Sequence, residues 1–172
     1  AGGSPQPLAS VISPSGIALD GNYLYYTTQG GDLYRVPKLG GVPETLALGL
    51  GLCVGGVAFD ATYVYLAAGF NASLVRVAKT GGTPTMLAST AYYPGDVLLD
   101  GGYAYFTTNS SGHLLRVLTG GGPLEDLGSV YPMGASFAAV GATVERAEGE
   151  DEATIHEAEA LLPGLEQRVR AF

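Results

Sequence analysis

Asp20-Gly21-Asn22-Tyr23-Leu24-Tyr25-Tyr26-Thr27-Thr28 returns as Asp60-Ala61-Thr62-Tyr63-Val64-Tyr65-Leu66-Ala67-Ala68, and again as Asp100-Gly101-Gly102-Tyr103-Ala104-Tyr105-Phe106-Thr107-Thr108. In an extended chain this alternation sets Tyr23, Tyr25 and Thr27 on one face and Leu24, Tyr26 and Thr28 on the other. A short apolar run precedes each copy, at Ile17–Leu19, Val57–Phe59 and Val97–Leu99. A Leu-x-Arg-Val segment follows, at Leu33–Val36, Leu74–Val77 and Leu114–Val117, and then a glycine pair, a proline and a leucine. The repeat is 40 residues long.

Each copy reads as four strands joined by turns. The apolar run is strand A, the tyrosine segment strand B, Leu-x-Arg-Val strand C, and Glu44–Ala47 in the first copy strand D. Asp20-Gly21-Asn22 and Asp100-Gly101-Gly102 have the turn chemistry of an A–B hairpin, because Gly and Asn accept positive φ. A period of about 40 residues is that of a four-stranded propeller blade. The fold class is therefore all-β, with β-propeller-type four-stranded blades at 16–48, 56–89 and 96–129. Pro7–Ser10 matches Thr85–Ser89, so residues 5–10 read as an orphan strand D, able to complete a last blade.

Residues 131–172 differ in kind. They carry 8 acids and 3 bases, against 8 acids and 5 bases in residues 1–130. Ser136–Val140 and Ala142–Arg146 restart strands A and B, but the Leu-x-Arg-Val is gone. From Glu150 the residues are helix formers with an apolar stripe of Ile155, Leu162, Leu165, Val169 and Phe172, interrupted at Pro163. The C-terminal segment is thus either a helical element or a degenerate fourth blade.

Composition narrows the function classes. A net charge of −8 argues against a nucleic-acid partner. No apolar stretch of about 18 residues is present, so no membrane span is expected. No basic region followed by an apolar run gives a signal peptide in this form. Cys53, the lone cysteine, has no internal partner for a disulfide. High glycine and alanine with few lysines suits a bacterial source.

At strand B the chain resembles the YWTD/NHL-type six-bladed β-propellers of the TolB-like superfamily. The family's Tyr-Trp-Thr-Asp stands here as Tyr25-Tyr26-Thr27-Thr28, Tyr65-Leu66-Ala67-Ala68 and Tyr105-Phe106-Thr107-Thr108. The chain has no tryptophan, and the family's terminal Asp is Thr, Ala and Thr. The resemblance covers roughly residues 5–130. It implies a binding scaffold and a location outside the cytoplasm, periplasmic or secreted.

Candidate chemistry is sparse. Asp20, Asp60 and Asp100 recur at one turn and could ring a channel mouth as weak ligands for a hard cation. The competing reading, favoured here, is that each caps its own hairpin. Arg35, Arg76 and Arg116 recur on strand C, either as an anion stripe or, as favoured here, reaching to carbonyls of the next blade over a tyrosine. His113 and His156 are the only histidines, and no catalytic or cofactor motif is present; no cofactor is expected. Asn71 and Asn109 begin sequons.

Strand alternation sends the B–C turns and the varied D–A connections to one face, where binding residues concentrate. The site candidates on that face are Phe70, Asn71, Tyr92, Tyr93, His113 and Tyr131. The expected function is non-catalytic binding or assembly, with a protein or other ligand on the loop face. One alternative is a propeller-type hydrolase or lyase with loop-borne groups, and another is a structural subunit docking through the C-terminal segment. Three blades do not close a ring, which takes four to eight. Self-association is therefore expected, with a homodimer completing six blades as one solution.

Overall fold

The computed structural model describes Ser4 and residues 7–51, 53–69, 72–109, 111–129, 137–140 and 143–146. Three antiparallel four-stranded sheets follow one another. The first holds β1 (Pro14–Leu19), β2 (Tyr23–Thr28), β3 (Leu33–Pro37) and β4 (Glu44–Ala47) in that order. The second holds β5 (Cys53–Phe59), β6 (Tyr63–Ala68), β7 (Ser73–Ala78) and β8 (Thr85–Ser89). The third holds β9 (Pro94–Asp100), β10 (Tyr103–Thr108), β11 (His113–Leu118) and β12 (Glu125–Ser129). A last hairpin pairs β13 (Phe137–Val140) with β14 (Thr143–Arg146). The all-β class expected from the repeat is the class observed, and the described residues include no helix.

The sheets stack face to face through their alternating residues. The first cluster joins Tyr25, Leu33, Leu46 and Ala47 of the first sheet, and Leu50 just beyond it, to Val64, Leu66, Ala68, Val75 and Val77 of the second. The second joins Tyr65, Leu74, Leu87 and Ala88 to Val97, Ala104, Phe106, Leu115 and Val117 of the third. Each middle strand therefore divides its residues between two neighbours, as its period of two requires. At roughly 25 cal/mol per Å² of apolar surface removed from water, these two seams hold the stack together. The inner strands lie side by side in the order β1, β5, β9, and β13 lies against β9.

Each inner strand carries a bulge that the repeat pattern does not announce. Pro14 pairs with Thr28 but Ile17 with Tyr26, and the ladders slip likewise between Cys53 and Val57 and between Pro94 and Val97. Glycines Gly16, Gly55 and Gly95 sit at these slips. A Cβ on Gly55 would lie 1.9 Å from the Gly95 oxygen, and one on Gly16 would lie 2.7 Å from the Gly55 oxygen. Because the strands start early through these bulges, the D–A connections are shorter than the repeat suggests.

Two expectations need correction or relocation. Residues 7–13 form no strand. Leu8, Ala9 and Val11 instead line a groove together with Ile17, Leu24, Tyr26 and Val36. The helix expected beyond Glu150 falls outside the described residues.

Candidate functional site

The turns that join β10 to β11 and β8 to β9 meet on one face of the third sheet. The His113 amide donates to Thr108 Oγ1 at 2.9 Å, and Thr108 Oγ1 also meets Ser111 Oγ at 2.7 Å. On the facing connection, the Asn109 amide donates to the Tyr93 oxygen at 2.8 Å, and Thr90 Oγ1 donates to the oxygens of Ala72 and Tyr92. These bonds hold the backbone under two side chains. The Tyr92 ring lies parallel to the His113 ring, 6.2 Å between centroids at 9°. His113 Nδ1 is 2.8 Å from Asp126 Oδ2.

Tyr92 and Tyr93 are 45% and 50% exposed, so a flat aromatic surface with a buttressed imidazole faces solvent. With its proton on Nδ1, His113 donates to Asp126 and keeps a lone pair on Nε2. Burial pushes the Asp126 carboxyl up, but the Gly128 amide and the His113 ring outweigh it, leaving the group below the usual carboxylate range. The pair can accept a hydrogen bond or take a proton from a ligand seated on Tyr92.

Of the six candidates read from the sequence, Tyr92, Tyr93 and His113 lie together on this face. Phe70, Asn71 and Tyr131 fall outside the described residues. Asp126 was not among the candidates. Its signal was a break in the repeat: Thr45 and Met86 occupy its position opposite β3 and β7.

The repeated charges serve the stack. Asp20 Oδ1 accepts the amides of Asn22 and Tyr23, and its Oδ2 accepts the Tyr25 hydroxyl at 2.8 Å. Asp60 does the same with Thr62, Tyr63 and Tyr65. Partial burial pushes both carboxyls up, but these donors outweigh it and hold each below the usual range. Asp100 departs from the hairpin-cap reading. Gly101 and Gly102 at φ 55° and 83° make the turn, β9 runs on through Asp100, and among the described residues its carboxylate accepts no hydrogen bond. Among the described residues, no three His, Cys, Asp or Glu side chains gather as metal ligands.

The arginines reach between sheets, as the favoured reading had it. Arg35 lies over Tyr23 at 4.3 Å and donates to the Lys79 oxygen at 2.8 Å. Arg76 lies over Tyr63 and donates to the Thr119 oxygen, and Arg116 lies over Tyr103. Lys79 then returns the contact, its Nζ 3.0 Å from Asp20 Oδ2 and 4.4 Å above the Phe59 ring.

No protein-family model matches the chain, and no curated protein matches its sequence. Solved structures do. A chain of the nidogen/laminin complex superposes with a TM-score of 0.63 at 19% identity, over 71% of this chain and 50% of that one. A catalytically inactive histidine-to-alanine variant of virginiamycin B lyase from Staphylococcus aureus, with quinupristin, gives 0.59 at 16%, over 73% and 44%. A computationally designed protein gives 0.67 at 11%, over 85% and 95%. The sheets are β-propeller blades. The chain spans about half the length, or less, of the two natural proteins among these three. None of the propeller's described residues forms a helix long and apolar enough to cross a membrane.

Proposed function

We propose that this propeller segment is a binding scaffold whose contact surface is the loop face of the third blade. The observation that carries the reading is the Tyr92–His113 stack buttressed by Asp126. It is exposed, it is held by backbone bonds, and it departs from the repeat. Residues that the fold needs recur in every blade; this cluster occurs in one. Flat aromatic rings with one polar handle suit a protein loop or a sugar ring. Phe70, Asn71 and Tyr131 belong to the same proposed surface by their place in the chain, and Asp20, Asp60 and Asp100 are assigned no ligand. A location outside the cytoplasm accompanies this reading, as do blades at 16–48, 56–89 and 96–129. The test is a glycan array together with immobilised extracellular-matrix proteins, probed with the chain and with Tyr92→Ala and His113→Ala. Binding that both substitutions abolish supports the reading; binding that ignores both refutes it.

The His113–Asp126 pair also favours a second reading, a hydrolase or lyase with His113 as general base. A small-ester and glycoside panel separates the two. Turnover lost in His113→Ala would establish catalysis.

A further inference from the structure

The two ends of the blade stack carry the unmatched halves of one contact. Between the first and second blades that contact is complete. Asp20 takes Lys79 at 3.0 Å, Tyr25 stacks on Phe59 at 5.9 Å, and Arg35 donates to the Lys79 oxygen. The repeat places Asp100, Tyr105 and Arg116 at the donor-blade positions on the third blade. It places Lys38 and Leu19 at the Lys79 and Phe59 positions on the first. Lys38 is exposed and Asp100 is half-buried, and among the described residues neither side chain has a hydrogen bond or ion pair. The first blade's outer face is also uncovered where the second blade's is packed. Ile17 and Leu19 are 63% and 53% exposed, whereas their equivalents Val57 and Phe59 pack into the first cluster. Beside them runs a groove of about 440 Å³ over Leu24, Tyr26 and Val36.

We infer that the occupant of this face is a second copy of the chain, whose third blade meets the first blade of its partner. Lys38 pairs with the other copy's Asp100, Leu19 with its Tyr105, and the Lys38 carbonyl accepts from its Arg116. The opposite charges specify this end-to-end register. Two such contacts related by a two-fold axis close on themselves, giving six blades in one ring. The fourth copy does not supply the same match, since by the repeat Glu159 stands at the position of Lys38 and Lys79, and Ala139 at that of Leu19 and Phe59. Among the described strands β13 is hydrogen-bonded to β14 alone. A two-stranded hairpin is marginal by itself, and a complete blade with matching charges takes its place beside β9.

Sedimentation equilibrium on the full chain tests this, with circular dichroism to confirm that each variant folds. The wild type is expected at twice the chain mass. Lys38→Glu and Asp100→Lys, each alone, weaken association at least about thirtyfold, as loss of a buried interfacial charge pair does. The double variant exchanges the charges and restores the dimer. A wild-type monomer overturns the inference, as does a mass that ignores either single reversal, or a double variant that stays monomeric while folded.

Discussion

Lys79 of the second blade ion-pairs with Asp20 of the first while its ammonium group lies over the rings of Phe59 and Tyr25. One side chain therefore joins the polar rim of the seam to its apolar interior. Lys79→Met keeps the stem and removes the charge, leaving Asp20 with its hairpin and tyrosine donors. The expected cost is about 2 kcal/mol, the scale of a hydrogen bond to a charged group. Urea unfolding measures it, and an unchanged midpoint would show that the pair is idle.

Tyr25 and Tyr65 are pushed up to about 12 by burial and by the bonds they donate to Asp20 and Asp60. An unfolded tyrosine titrates near pH ~10. Because the folded value is raised, the associated stability is whole below pH ~10 and is lost as pH rises through ~12. An ultraviolet absorbance titration should show these two tyrosines ionising late, with Tyr26 also raised by its burial, together with loss of strand structure. Tyr25→Phe with Tyr65→Phe shrinks that late step by two tyrosines. A single ionisation near pH ~10 in the wild type contradicts this.

Arg76 Nε is buried without a hydrogen-bond partner among the described residues. The reason is visible across the ladder: Arg35 and Arg116 face Glu44 and Glu125, which take their Nε at 3.0 Å, but Arg76 faces Thr85. Thr85→Glu supplies the missing acceptor. It should raise stability by about 0.5–1 kcal/mol, the upper range for a partly exposed pair, and thermal melting reads the gain.

The inner strands predict a sharp contrast between two glycines. Gly55→Ala forces a methyl into the Gly95 carbonyl and should cost about 3 kcal/mol, as overpacking does. Gly21→Ala meets nothing within 4 Å and should stay within about 0.5 kcal/mol of wild type. Equal effects at the two positions would disprove the close approach of β5 and β9.

Tyr92→Ala and His113→Ala should each change unfolding free energy by no more than about 0.5 kcal/mol, since Tyr92 is exposed and His113 only partly buried. A large loss of stability at either position would make the stack a structural clasp and remove it as a contact surface.

The sequence announced what the blades share and hid what differs between them. β2 and β4 fall where the alternation of Tyr23–Thr28 and the turn before Glu44 set them, because period-two packing leaves its imprint on every residue. The arginines were legible for the same reason, since a contact made in each seam recurs in each copy. The bulges at Gly16, Gly55 and Gly95 left no such imprint. They answer to the approach of another strand's backbone, which no single copy encodes. Asp100 was misread because Gly102 replaces the Asn22 and Thr62 of its siblings, and a second glycine lets the turn form unaided. Asp126 was missed because its partner His113 lies across a ladder and not along the chain.

The close backbone approach at Gly16, Gly55 and Gly95 gives the stack a narrow spine. Blades that touch at one edge and are held apart at the other by tyrosines and leucines open like pages from a binding. The wedge between them is then set by side-chain bulk away from the spine, so the number of blades that completes a turn is encoded in the thickness of each seam. Bulk added at the spine would spread the pages in parallel, and the stack would run straight instead of round.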